Sequence, residues 1–156
     1  MKTLALGLVA VATGVACSAT RSGYNSAPYR VVRMDGDFEL REYPTLTIVE
    51  TQMHGSDDSF MRLFRYIDGQ NVATQKIAMT TPVYMTDGKM AFVMPEEMPA
   101  EKVPQPSNQK VAVGSIHAGK FAVMRFSGSR NHENETNAVA KLNAWLQREK
   151  LTVTGD

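Results

Sequence analysis

The sequence predicts an α+β domain in which a curved antiparallel sheet carries two helices. Three observations lead there. Short runs rich in β-branched and aromatic residues recur along the chain, two segments shift their apolar residues to helical spacing, and Gly, Pro and Asp-Gly punctuate the boundaries. With 156 residues the chain is long enough for one domain with a single core and short for two.

The elements follow in order. Arg30 to Met34, Phe38 to Tyr43 and Thr45 to Met53 read as antiparallel strands, separated by Asp35-Gly36-Asp37 and by Pro44. From Ser56 to Asp68 the period changes: Phe60, Leu63, Phe64 and Ile67 recur at helical spacing, Asp57 and Asp58 occupy the first turn, and Gly69 follows the last. That stripe is expected to be buried, leaving Met61, Arg62, Arg65 and Tyr66 on the outer face. Lys76 to Met85 and Lys89 to Met94 are strand-like and joined at Thr86-Asp87-Gly88, whose Asp-Gly pair signals a hairpin. Pro95 to Asn108 holds four prolines and reads as a loop. Strands resume at Lys110 to His117 and Lys120 to Ser127. A second helix runs from about His132 to Lys150, with Val139, Leu142, Trp145 and Leu146 on one face. A weak internal repeat links the halves: each passes from a strand through His-Gly-Ser or Ser-Gly-Ser into a helix, which predicts a pseudo-twofold arrangement.

The first residues differ in kind. Lys2 precedes an uncharged apolar run from Leu4 to Ala16, the pattern of a signal peptide over residues 1–19 and too short for a spanning helix. The only cysteine, Cys17, closes that run, which predicts a bacterial lipoprotein cut just before a lipidated Cys17; a cut after Ala19 is the alternative. Cleavage before Cys17 removes Lys2, one of 17 basic residues, leaving 16 against 16 acidic ones and no cysteine for an internal disulfide. Residues 20–28, rich in Ser, Gly and Asn, read as a flexible tether to a domain over 29–156. The expected location is the cell envelope, with the lipid anchor as the membrane contact, at the periplasmic side or outer membrane.

Composition narrows the function. A formal charge of +1 and evenly spread Lys and Arg argue against nucleic acid as a partner. Dinucleotide, P-loop, zinc-protease and nucleophile-elbow motifs are missing, as is C-x-x-C-H, so any haem is held non-covalently. No convincing acid–base pair supports an enzyme. Met79, Met85, Met90, Met94 and Met98 raise Cu(I) binding, but strand alternation separates them, and packing is the better account.

The block KIAMTTPVYM-TDGKM-AFVMPEEM over Lys76 to Met98, with FELREY at Phe38, FRYIDGQN at Phe64 and FAVMRFSG at Phe121, resembles the SOUL family of haem-binding proteins from about Tyr29 to Asp156. The resemblance implies a distorted β-barrel with two helices, and haem or another tetrapyrrole held in an apolar groove beside the first helix. There Met61 moulds to a ring and Arg62 and Arg65 pair with its carboxylates, with Tyr66 on the same face. His54, at the end of a strand before that helix, is the foremost of three weak axial candidates, ahead of His117 and His132. The vertebrate SOUL protein has a proposed axial His just before the Tyr of its E-x-R-x-Y stretch, and Glu42 stands there here. The resemblance also implies a further strand beyond Gly155-Asp156, which leaves two readings: a fragment, or a member lacking that strand. A second function stays open, an envelope lipoprotein whose groove takes a peptide or other apolar ligand.

Overall fold

The computed structural model describes residues 24–54, 58–86, 88–129 and 131–153. Its frame is one long antiparallel ribbon that bends in the middle. Strands β3 (Phe38–Tyr43) and β4 (Leu46–Gln52) form one arm, and β8 (Val111–Ile116) and β9 (Gly119–Met124) the other. The register does not slip across the bend: Phe38 pairs with Met124, Tyr43 with Gly119, Leu46 with Ile116 and Thr51 with Val111. Pro44, which has no N–H to give to a ladder, lies at the break. On one side of it β2 (Arg30–Asp35) completes a three-stranded sheet in the order β2-β3-β9. On the other, β6 (Val83–Thr86) and β7 (Lys89–Val93) complete a four-stranded sheet in the order β6-β7-β4-β8.

The bend creates an inner face and two outer ones. Tyr43, Leu46, Ile48, Ala91 and Val93 form the inner core, with Tyr29, Tyr84 and Ile116 packed against it. Alternation along β3 puts Glu39 and Arg41 on the same side as Tyr43. Glu39, 2% exposed, accepts from Arg41 Nε at 2.8 Å and pairs with Arg125 at 2.8 Å. Burial opposes the Arg41 charge, yet the bonds to Glu39 and Tyr43 hold its pKa above the ordinary value. Burial, with Tyr43 beside it, likewise pushes Tyr84 up.

Each outer face takes a helix. Helix α1 (Ser59–Ile67) covers the four-stranded sheet, where Leu63, Tyr66 and Ile67 meet Val49, Met90, Phe92 and Val111. Val49 and Leu63 are wholly buried, a gain of about 1.5–3 kcal/mol for each such side chain. Helix α2 (His132–Arg148) starts at Asn131, whose side chain accepts from Asn134 N, and packs on β9. Trp145 stacks on Phe38 with ring centroids 5.4 Å apart and donates its indole N–H to Asp35 at 2.9 Å.

Several expectations change. Among the described residues there is no closed barrel, because the bent ribbon leaves β6 and β8 as the edges of its larger sheet. The pseudo-twofold repeat is not established: one half pairs four strands with a nine-residue helix, the other three strands with a seventeen-residue one. Part of the expected tether is ordered, since Asn25–Ser26 forms β1, which pairs in parallel with β5 (Thr80–Thr81), and Ala27 is buried in the inner core. The expected strand from Lys76 to Met85 is broken, as the Thr81-Pro82 bond is cis and Pro82 cannot donate to a ladder. Val139 on α2 is exposed, so that helix buries chiefly Trp145 and Leu146. The signal peptide and Cys17 lie outside the described residues. No helix among the described residues is long and apolar enough to cross a membrane.

Candidate functional site

Helix α1 carries more apolar surface than one sheet can cover. Of its nine residues, Ser59, Leu63, Tyr66 and Ile67 are buried, while Phe60, Met61 and Phe64 are 42%, 43% and 39% exposed. At about 100° per residue, Phe60 and Phe64 share one flank, Met61 and Arg65 point outward, and Arg62 takes the opposite flank. The Phe60 and Phe64 rings lie near parallel, 13° apart at 6.3 Å, and Phe60 meets Phe92 of β7 edge-on at 5.2 Å. Val83 pairs with Phe92 and Met85 with Met90, so both β6 side chains lie on the α1 side of the sheet. Val83 is half-buried and Met85 exposed. The Phe60–Phe64 flank and the edge strand β6 thus line one apolar surface.

This corrects the expected helix face. Tyr66 does not join Met61, Arg62 and Arg65 outside: it is 2% exposed, and its hydroxyl donates to the Pro104 carbonyl at 2.7 Å. Burial pushes its pKa up to about 12. Phe60 and Phe64, expected inside, are turned out instead. The reason is that Tyr66 satisfies both its ring, in the core, and its hydroxyl, on the loop that passes beneath, which Phe64 has no polar atom to match. The FRYIDGQN motif serves the same end. Gly69 takes φ +106° where the helix stops, and the buried Asn71 amide donates to the carbonyls of Tyr66 and Gln75 at 3.0 and 2.7 Å.

The two arginines differ in what they can do. Arg62 is a clamp: its Nη1 donates to Thr51 Oγ1 at 2.8 Å and to the Gln52 carbonyl at 3.3 Å, its Nη2 donates to Asp58 Oδ1 at 3.0 Å, and its side chain is 10% exposed. Arg65 is half-exposed and its Nη1 donates to Asp58 Oδ2 at 3.0 Å. The hydrogen bond from Arg65, with the charges of Arg62 and Arg65, holds the Asp58 carboxyl below its usual range. Arg65 is therefore the α1 cation that still faces solvent, on the outward arc it shares with Met61.

His54 lies elsewhere. With Arg62 it lines a polar cavity of about 320 Å³ that includes the Glu50–Lys89 ion pair, at 2.8 Å, and Lys110. That cavity is on the Arg62 side, so the structure does not bring His54 to the Phe60–Phe64 flank. His117 lies at the ribbon bend and His132 opens α2. Among the described residues no group of three or more His, Cys, Asp or Glu forms a metal site. Glu42, at the position of the vertebrate His, accepts from Arg30 Nε at 3.1 Å. Met90 and Met94 are buried in the α1 core with Met79 and Met98 packed against them, so four of the five methionines in that stretch serve packing. A wider cleft of about 610 Å³ is lined by Tyr29, Tyr43, Pro44 and Glu96, with the Tyr29 and Tyr43 rings in contact at 5.4 Å.

The residues present suit a tetrapyrrole held without a covalent link. Such a ring asks for an apolar surface and a cation for its carboxylates; Phe60, Met61 and Phe64 are exposed apolar side chains and Arg65 is a solvent-facing guanidinium. No match was found among curated proteins. The family described as SOUL heme-binding protein matches residues 24–156, which spans every described element of the fold. With the FELREY and KIAMTTPVYM motifs now placed in β3 and in the segment that closes the α1 core, the chain belongs to the SOUL haem-binding family.

Proposed function

We propose that this protein binds haem or another tetrapyrrole non-covalently on the apolar flank of α1, with the ring against Phe60, Phe64 and Met85 and a propionate on Arg65. The observation that carries this reading is the exposed, near-parallel Phe60–Phe64 pair on the helix that also bears the solvent-facing Arg65, in a chain of a haem-binding family. Three exposed large apolar side chains on nine helical residues exceed what an isolated surface needs and mark a contact surface. Met61 faces outward next to Arg65 and adapts to a ring edge. Arg62 holds the helix to β4, and its expected role as a second propionate partner gives way to that of a clamp. In this reading the protein is a binding module for its ligand, without catalysis. It is exported through the residue 1–19 leader and anchored at the envelope through a lipid on Cys17.

A hemin titration of the purified protein, followed in the Soret band and repeated with protoporphyrin IX, tests this. Saturable one-to-one binding of both rings, weakened in Arg65→Ala, is the expected result. A linear response that never saturates contradicts it and favours the second reading. In that reading the same exposed flank docks an apolar segment of an envelope peptide, as the apolar continuity of Phe60, Phe64 and the β6 edge would also allow.

A further inference from the structure

Asp58 stands immediately before α1 and holds its two arginines at once. Its Oδ1 accepts from Arg62 and its Oδ2 from Arg65, each at 3.0 Å. One carboxylate oxygen thus engages the buried clamp, while the other covers the donor that a ligand carboxylate would use. The two ion pairs are unequal. The Arg62 side chain is 10% exposed and has Thr51 and Gln52 as further acceptors, whereas the Arg65 and Asp58 side chains are 49% and 53% exposed. Arg62 is therefore held in place by several bonds, and the Asp58–Arg65 bond is the exchangeable one. A carboxylate on Arg65 is what a tetrapyrrole with ionised propionates would present to the same guanidinium.

We propose that Asp58 is the built-in occupant of the carboxylate-recognition point on α1, and that an anionic ring must displace it from Arg65 to bind. The inference rests on the reading of the α1 flank as the tetrapyrrole surface. Asp58 then acts as a specificity-determining residue. A ring without carboxylates leaves the Asp58–Arg65 bond intact and gains only the apolar contact. A ring with carboxylates exchanges one anion for another at Arg65, and its net advantage comes from the apolar contact that Asp58 cannot make. Arg62 keeps its bond to Asp58 through this exchange, so the carboxylate swings without releasing the helix from β4.

The test compares the parent protein with Asp58→Asn, using protoporphyrin IX and its dimethyl ester as probes. Removing the competing charge is expected to tighten the diacid by about two- to fivefold, the range set by exposed ion pairs, and to leave the ester unchanged. Asp58→Ser, which keeps a residue suited to a helix start, should tighten the diacid equally and guards against a loss of folding peculiar to Asn. Combining Asp58→Asn with Arg65→Ala should abolish the gain. A diacid affinity unchanged in both single variants, or an ester tightened as much as the diacid, overturns the role of Asp58 while the tetrapyrrole surface stands. Absence of saturable binding by the parent and both variants overturns the tetrapyrrole reading itself.

Discussion

Replacing Tyr66 by Phe separates stability from binding, because the structure gives this residue a role opposite to the one its spacing predicts. The substitution deletes one oxygen and leaves the ring, so the core around Leu63 and Val103 keeps its packing. What disappears is the 2.7 Å bond to the buried Pro104 carbonyl. A typical net hydrogen bond contributes about 1 kcal/mol, and stranding a buried acceptor raises the cost to about 1–3 kcal/mol. For a domain of this size that lowers Tm by roughly 3–10 °C. Thermal unfolding followed by circular dichroism reads this directly, and hemin affinity measured beside it should stay within about twofold of the parent, since the hydroxyl is buried on Pro104 and Tyr66 is 2% exposed. A variant with unchanged Tm and clearly weaker hemin binding would refute the placement of Tyr66 in the core.

Further predictions follow from the same packing. Phe64→Glu, at a position 39% exposed, should cost about 1–2 kcal/mol in urea unfolding, leave the protein folded, and abolish saturable porphyrin binding. Glu39→Gln leaves Arg41 without its buried carboxylate and should cost about 3–5 kcal/mol, and a loss under 1 kcal/mol in the same assay would contradict the inner-core network. Tyr66 has a folded pKa near 12 against an unfolded value of 10, so the folded state keeps its proton longer; the stability this confers is full below pH 10 and is lost as pH rises to about 12. Ultraviolet titration should therefore show tyrosine ionisation extending above pH 11, with the late component reduced in Tyr66→Phe. A lipid on Cys17 predicts that palmitate labelling in the host marks the protein and not its Cys17→Ser variant, and label absent from the parent or retained in the variant would contradict it.

The strands were legible from their residue types and from the turn residues between them. FELREY over β3 and the run from Leu46 to Gln52 show their aromatic and β-branched content between Asp-Gly and Pro breaks, and the Asp87-Gly88 pair marks the β6–β7 hairpin, with Gly88 at φ +73°. Pro44 was legible as a break, but not as the hinge of a ribbon whose register continues past it, because that depends on β8 and β9 about seventy residues away. Strand β1 was hidden in a polar segment because only two residues pair there, and the burial of Ala27 is a tertiary fact. The α1 face was misplaced for a reason internal to its composition. Phe60, Met61, Leu63, Phe64, Tyr66 and Ile67 cover well over half the helix circumference, so periodicity shows an excess of apolar residues without saying which arc the sheet takes. That excess was itself the available signal for a surface such as Phe60–Phe64. His54 was reached by residue type alone, and its place beside Arg62 depends on how β4 ends against the helix.

The most direct test of the account is a map of backbone amide shifts in the ¹⁵N-labelled protein on titration with iron-free protoporphyrin IX. The largest shifts are predicted at Phe60, Met61, Phe64 and Arg65, with Met85 across the β6 edge. Shifts centred on His54, Lys89 and Lys110, or on Tyr29 and Tyr43, with α1 unmoved, would contradict the assignment of the tetrapyrrole to the Phe60–Phe64 flank.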